Sequence, residues 1–539
     1  MPDPFPEGLI DDDNQDLNPA IQLFGRRFFS DQTTLEFLVE LLLIAVSRKQ
    51  IDHREFDSFL PPYEMLKRWP RRCKLEYAPK ARLNLKLFSF FGSSKLDSRH
   101  ETHRNHLKEL DHAIKENMMV SGDSKENILK TLENLFLGFQ GAGSQRTWCA
   151  QSFIPICPGF LSAETLWNET DARRYSIDSW EEIIDSFTIF FSVNRHRFLA
   201  RGGEVLYLQL CNALRQTPEK VEAWVEKMGL EDSFTHEELN PVWLHEQLNS
   251  ALGDLMRACP KTVSGLAEFI DSGVEAQTAG RTDKQGSEPR YTACGWCPEE
   301  SWQEGYLFAV EVLRLCRARV DLMERLELLE FACVMQVLRS LATQAARYAP
   351  VSDKYPVPFY RLVISDPEGQ NLTVRQISRA SVRVVEKMIY DAIRHPQIER
   401  RIPKSDRQKL YREADRRYGH KLFVALAKRI GLIIPRRGSG MRFVLNERLL
   451  RFLVMTLVPA KRLTYESFKT LAEMHYGLTF DESGLSHASA WATGVQIESF
   501  GGSTDEWLQE MLEAAGILRR LSDSCALVEN PTISDIQRV

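Results

Sequence analysis

Apolar positions along this chain recur mostly at helical spacing. In LEFLVELLLIAV, residues 35–46, Leu35, Phe37, Leu38, Leu41 and Leu42 fall three and four residues apart. Ser30 or Asp31 stands upstream of this run as its N-cap. The same period predicts amphipathic helices over 124–137 and 176–192 and a helix beginning just after Gly202-Gly203. A further helical pair reaches about 271, and two long helices cover 299–317 and 319–348. The second of these carries Leu326, Leu329, Phe331, Val334, Val337 and Leu338 as one broad apolar face. Period-two alternation is scarcer. Leu83, Leu85 and Leu87 alternate with polar neighbours in KARLNLKLFSFFGSSK, which predicts a strand pair. FYRLVISD predicts a short strand ended by the turn Asp366-Pro367-Glu368-Gly369, and helices resume near 373.

The C-terminal third repeats a pattern. LAKRIGLIIPRRGSGMRFVLN (426–446) can be laid over MLEAAGILRRLSDSCALVENP (511–531). Each reads as a helix end, a glycine, a strand, a polar turn and a second strand. Gly431 and Gly516 occupy the position where a helix C-terminus takes a left-handed residue. Helices over 405–418 and 420–430 precede the first copy, and helices over 464–476 and 504–515 precede the second. Helices followed by a two-stranded hairpin is the winged-helix plan, so two tandem units of that kind are expected.

Length divides the rest. A chain of 539 residues is too long for one ordinary core. Segment 272–293 lacks apolar periodicity and reads as a surface loop or linker. The expected organisation is a flexible acidic tail (1–16), a mainly helical N-terminal domain (17–271), the loop or linker (272–293) and a long-helix region (294–372). A basic winged-helix-like unit (373–458) and an acidic one (459–539) complete it. The fold class expected is mostly α and multi-domain, a helical body with small β elements.

Composition excludes little: 43% hydrophobic and 27% charged residues are values of a globular protein, and the net charge of −5 is mild. The acidic N-terminus has neither the basic start nor the apolar run of a signal peptide. The longest apolar run, about a dozen residues interrupted by Glu36 and Glu40, is too short for a membrane span. Ten cysteines in such a chain point to a reducing, cytoplasmic setting.

Charge distribution is more informative than net charge. Residues 375–448 hold twenty Lys and Arg against seven Asp and Glu, in a chain that is acidic as a whole. This is the electrostatic footprint of phosphate binding, or of a basic surface that docks an acidic protein. Arg416, Arg417 and Lys421 lead into the helix that would serve for recognition. Lys428 and Arg429 end it, and Arg436, Arg437 and Arg442 line the hairpin. These eight are the candidate DNA-binding residues. The second unit has the opposite character: Glu466, Glu473, Asp481, Glu482, Asp505, Glu506, Glu510 and Glu513 suit contact with proteins instead.

Other constellations are weaker. In 66–86, Lys67, Arg68, Arg71, Arg72 and Lys74 surround Trp69 and Tyr77, an arrangement that either stacks on unpaired bases or places the aromatics in a core. Cys294 and Cys297 form half of a tetrahedral zinc site with no second half at suitable spacing, so no metal is expected. The turns GFQGAGSQ and ARGGE lack the lysine and hydroxyl of a nucleotide-binding loop and read as a turn and a helix start. His100, His103 and His106 have the helical spacing with which histidines bind metal, but Arg99, Arg104 and Lys108 beside them favour a solvated basic face. No hydrolase, metalloprotease or kinase motif is present, and no cofactor is implied.

Three stretches, FFSDQTTLEFLVELLL, RGGEVLYLQL and MRFVLNERLLRFLVMTLVP, give the chain a look that resembles the large accessory proteins of bacterial antiphage defence cassettes. The resemblance carries no catalytic motif. It implies a subunit that acts on foreign double-stranded DNA together with other protein subunits of the same cassette. The function expected is a non-enzymatic, DNA-associated subunit that contacts the phosphate backbone through the basic unit. A protein-interaction scaffold and a divergent nuclease are the alternatives.

Overall fold

A computed structural model describes residues 2–7, 17–26, 28, 32–69, 73–79, 124–137, 155–161, 202–269, 291–349, 360–497, 503–522 and 525–533, with isolated residues and two short strands between them. It is mostly α, with small sheets, as the periodicity implies. The strand pair expected in 80–95, the three histidines and the 138–145 turn lie outside the described residues. So does most of the linker 272–293 and of the helix expected over 176–192. Of that last segment only Phe191–Ser192 is described, and it pairs as a strand with Leu166–Trp167.

Helix α1 (Thr34–Val46) starts one turn later than Ser30 or Asp31 would place it. Thr33 is its cap, in a reciprocal box with Glu36. Its glutamates face inward because the helix is enclosed on nearly every side. Helix α2 (Gly202–Leu214) packs directly on it, and the glycines make this approach possible. A Cβ on Gly203 would stand 2.3 Å from the Glu40 Cβ, and one on Gly202 would stand 2.3 Å from Phe37. Strands β1 (Arg48–Ile51), β2 (Arg54–Phe56), β3 (Leu75–Ala78) and β4 (Thr292–Ala293) form a sheet in the order β2-β1-β3-β4.

Helices α3 (Pro241–Arg257), α4 (Trp302–Arg317) and α5 (Leu322–Arg347) complete the body. Both long helices end within three residues of the boundaries the sequence pattern predicts. One apolar core runs without a break from Phe5 through these helices to Val528, so the expected units share an interior. The N-terminal tail is not wholly free. Pro4–Phe5 pairs with Cys297–Pro298, and Phe5 is fully buried against Trp69 and the Arg215 guanidinium. A single large apolar side chain is enough to dock an otherwise polar segment.

Strand β5 (Leu362–Val363) precedes α6 (Leu372–Ile393), α7 (Arg407–Arg417), α8 (His420–Arg429) and the hairpin β6 (Ile433–Ile434) with β7 (Arg442–Phe443). Helix α9 (Glu447–Leu457) follows, capped by Asn446 as the sequence predicts: its side chain accepts from Leu449 N–H at 2.9 Å. The last unit runs β8 (Arg462–Thr464), α10 (Tyr465–Tyr476), β9 (Leu478–Thr479), α11 (Glu482–Thr493), α12 (Glu506–Ala514), β10 (Leu518–Ser522) and β11 (Cys525–Glu529). Its sheet order is β8-β11-β10. In the basic unit Ile364 makes a parallel bridge to Phe443 of β7, which itself pairs with β6, so the spatial order recurs there although β8 meets β11 antiparallel.

The two units of the internal repeat match at their helix ends. Gly431 (φ +78°) and Gly516 (φ +68°) both follow a helix. Leu432 N–H donates to Ala427 O and Ile517 N–H to Leu512 O, each at 2.8 Å, the six-residue closure of a glycine-terminated helix. Strands β5 and β9 then pair in parallel, which ties the two units together. Neither that pairing nor helix α11 is marked by periodicity in the sequence.

Candidate nucleic-acid interface

Alternation sets the hairpin. Ile433 and Phe443 face each other and are fully buried, edge-on to Phe423 of α8 in the case of Phe443. The connecting loop carries Arg436 and Arg437, both exposed, and turns through Gly438 at φ +97° and Gly440 at φ +83°. Neither arginine makes an ion pair or hydrogen bond among the described residues.

Arg442, which lines the hairpin in sequence with Arg436 and Arg437, does not share their exposed loop. It is 7% exposed. One terminal nitrogen donates to Ser365 Oγ at 2.6 Å and to Asp366 O at 2.7 Å, and the other to Pro367 O at 2.7 Å. The turn after β5 offers three acceptors at the base of the hairpin, and a guanidinium is the group that can meet them together. Burial pushes the Arg442 pKa down, and Arg375 and Arg379 nearby add to the effect against the pull of Asp366.

The remaining candidates divide. Arg416 and Lys421 are exposed at the junction of α7 and α8. Arg417 is partly covered and pairs with Glu413 at 3.3 Å. Helix α8 buries Leu422, Phe423, Leu426 and Ala427. Lys428 lies close to Glu386 of α6 and helps hold that carboxyl down against the burial that raises it. Arg429 donates to the Gln32 carbonyl just ahead of α1, so it joins the unit to the body. Of the eight, Arg416, Lys421, Arg436 and Arg437 remain exposed and without a bonded acid among the described residues.

Sequence reasoning passed over a row beside them. Arg375, Arg379, Arg383 and Lys387 recur every fourth residue on α6, which places them on one face about 6 Å apart. The signal is present in VRQISRASVRVVEK as a four-residue cationic period. Arg383 and Lys387 are exposed, and Lys387 approaches Asp391 at 3.6 Å. Arg379 runs beneath the hairpin, since a Cβ on Gly440 would meet its Nη2 at 3.3 Å.

The acidic unit reuses the hairpin with its charge cancelled. Arg519 and Arg520 of β10 approach Glu529 and Glu513 respectively. Glu482, Glu506, Glu510 and Glu513 are exposed. Asp505 turns inward and binds Lys469 at 2.7 Å, and Glu473 pairs with Arg361.

Elsewhere the chemistry is internal. Trp69 is buried and donates to Cys73 O at 2.9 Å, and the Tyr77 hydroxyl donates to Glu204 at 2.8 Å, so neither ring can stack on a base. Gly203 N–H donates to Glu40 at 2.9 Å inside the α1–α2 contact, which leaves no phosphate cradle there. Cys294 and Cys297 are both buried. Among the described residues no group of three or more His, Cys, Asp or Glu is arranged to hold a metal ion. No described helix is long and apolar enough to cross a membrane.

One buried cluster has the outline of a hydrolytic triad. Ser233 Oγ lies 3.1 Å from His475 Nε2, and His475 Nδ1 lies 3.4 Å from Glu311. All three side chains are at most 3% exposed. Glu311 is held bidentately by Arg339, at 2.7 and 2.9 Å, which keeps its carboxyl down at about 2 although burial opposes this. Burial pushes the His475 imidazole down, toward its neutral form. The serine is fully buried among the described residues, and the cluster works as a lock between the body and α10. Searches against protein-family models, curated proteins and solved structures return no match.

Proposed function

We propose that this chain is a non-enzymatic, DNA-associated subunit whose basic unit grips the phosphate backbone of a duplex. The acidic unit and the helical body then hold protein partners. The single observation that carries this reading is the contrast between two like scaffolds. Arg519 and Arg520, in the first hairpin strand of the acidic unit, have acidic partners, whereas Arg436 and Arg437, in the hairpin loop of the basic unit, have none among the described residues. A charge left uncancelled on one copy of a repeated scaffold is a charge available to a ligand.

The chain order supports a winged-helix-like character for both units. A strand or bridge residue, three main helices (with a short fourth, Pro396–Glu399, in the basic unit) and a hairpin follow one another, with the first strand beside the last. Phosphate contacts position a protein without reading base sequence, so affinity should be similar for unrelated duplexes and should fall steeply with salt. The sequence resemblance supplies the setting, a bacterial antiphage defence complex with partner subunits.

The test is anisotropy of two unrelated labelled duplexes over a salt series, with wild type and the variant Arg436→Glu/Arg437→Glu. The variant should bind both duplexes more weakly, with a salt slope smaller by about one to two. Circular dichroism checks its fold. Unchanged binding by the folded variant removes the hairpin from the mechanism. A wild type that binds no duplex but captures partner subunits of its cassette favours the scaffold reading, for which the exposed carboxylates of the acidic unit speak. Metal-dependent cleavage of the duplex by the purified chain would make it a nuclease.

A further inference from the structure

The four-residue cationic row on α6 is costly as it stands. Like charges one turn apart on a helix repel, weakly at an exposed surface and more strongly where water is excluded. Its first two members are not in free solvent. Arg375 and Arg379 are half-buried, and the Nε atom of each is sealed from water with no hydrogen-bond partner among the described residues. Orphaned buried donors are rare in folded proteins because each forfeits its hydration.

These two guanidiniums converge on a third. A Cβ on Gly369 would touch Arg442 Nη2 at 3.2 Å and Arg375 Cδ at 3.3 Å, so the turn after β5, Arg375 and Arg442 meet at one point. Gly440 stands over Arg379 in the same way. Both glycines have positive φ, and a side chain at either position would fill the space above the arginines. The acid at this place is Asp366, and its two oxygens already accept the Glu368 and Gln370 N–H groups, each at 2.9 Å. Three cations therefore face one carboxylate, whose oxygens are also engaged by the backbone.

We infer that the cleft between α6 and the base of the hairpin, lined by Arg375, Arg379 and Arg442, is a phosphate site. One phosphodiester of the bound strand seats there, and the backbone continues along Arg383 and Lys387. This rests on the DNA-binding reading above and adds to it the place where the strand is anchored. A tetrahedral oxyanion accepts from the terminal N–H groups of several guanidiniums at once, and its charge removes the repulsion between them. Arg442, fixed by three acceptors, acts as the rigid wall, and Arg375 and Arg379 are the groups that reach the ligand.

The experiment uses the full chain and three variants: Arg375→Gln/Arg379→Gln, Arg379→Lys and the hairpin pair Arg436→Glu/Arg437→Glu. Binding of a labelled duplex and thermal unfolding are measured for each, with inorganic phosphate added in a separate thermal series. The inference expects Arg375→Gln/Arg379→Gln to weaken the duplex on the order of tenfold or more and to flatten the salt slope by about one to two. The melting temperature of that variant should hold or rise, because repulsion has been removed. Arg379→Lys, which keeps the charge but loses the fork, should fall between it and wild type. Wild-type affinity in a folded Arg375→Gln/Arg379→Gln variant overturns the site, and if the hairpin variant is weakened in the same assay the broader DNA reading stands without it. A lowered melting temperature with unaltered affinity also overturns it, since the arginines would then be structural. Protection by inorganic phosphate that the Arg375→Gln/Arg379→Gln variant loses, with no duplex binding by wild type, overturns the nucleic-acid assignment and the function built on it.

Discussion

Replacing Arg339 with Met should unfold this protein far more readily than any surface change, and the reason lies in the Glu311 carboxylate it would leave behind. Glu311 is 1% exposed and Arg339 is 3% exposed, and they meet through two hydrogen bonds of 2.7 and 2.9 Å. The carboxyl is held at about 2 against an ordinary 4.5. That difference corresponds to about 3–4 kcal/mol at about 1.4 kcal/mol per unit, a net value to which His475 also contributes. The figure agrees with the roughly 3–5 kcal/mol expected when one partner of a buried pair is removed. Because the folded-state pKa lies below the unfolded one, this stabilisation is complete above about 4.5 and is lost as pH falls toward about 2. Arg339→Met should therefore lower the urea midpoint at neutral pH, and the variant should lack the wild type's loss of stability between those two pH values. The double variant Arg339→Met/Glu311→Leu, which leaves no buried charge from the pair, should recover most of the loss. Urea unfolding followed by near-ultraviolet circular dichroism measures both. A single variant within about 1 kcal/mol of wild type, or a double variant no better than the single, would refute the assignment of this pair as a lock.

Glu40 predicts the opposite pH trend: burial pushes its carboxyl up to about 8, so stability declines as pH rises from 4.5 toward 8. Glu40→Gln should abolish that decline, by a difference on the order of 3–5 kcal/mol at alkaline pH, read from melting curves at several pH values. Gly203→Ala would place a methyl 2.3 Å from the Glu40 Cβ and 2.6 Å from Leu41 N, and should cost at least about 2–3 kcal/mol by forcing α1 and α2 apart. The same measurement on Gly229→Ala is the control, because nothing lies within 4 Å of that position and only its φ of +65° is at stake. Asn446→Ala removes the cap of α9 and leaves Ile430 O without its 2.9 Å donor, for an expected loss of about 1–2 kcal/mol in chemical denaturation.

What the sequence determined by itself was local. Helix positions follow from apolar residues three and four apart. Long helices such as α4, α5 and α6 sit within a few residues of their predicted places, because burying one face is decided by residues within a turn or two. The caps at Asn446, Gly431 and Gly516 were legible for the same reason: a cap is a contact between near neighbours. The repeat of helix, glycine and hairpin was visible because both copies need the same local devices. The exposed half of the candidate interface, Arg416, Lys421, Arg436 and Arg437, was legible as charge density. The tertiary structure decided what each charge faces. Arg442 lies three residues from exposed Ser439 yet is turned inward by acceptors 75 to 77 residues away, a distance that no periodicity encodes. Arg375 and Arg379 read as an ordinary solvated helix face until the hairpin and the turn after β5 are folded over them. Ser233 and His475, 242 residues apart, look like parts of an enzyme only as a list. Packing encloses them and gives their carboxylate to Arg339, because a buried charge takes the partner that the surrounding core brings to it.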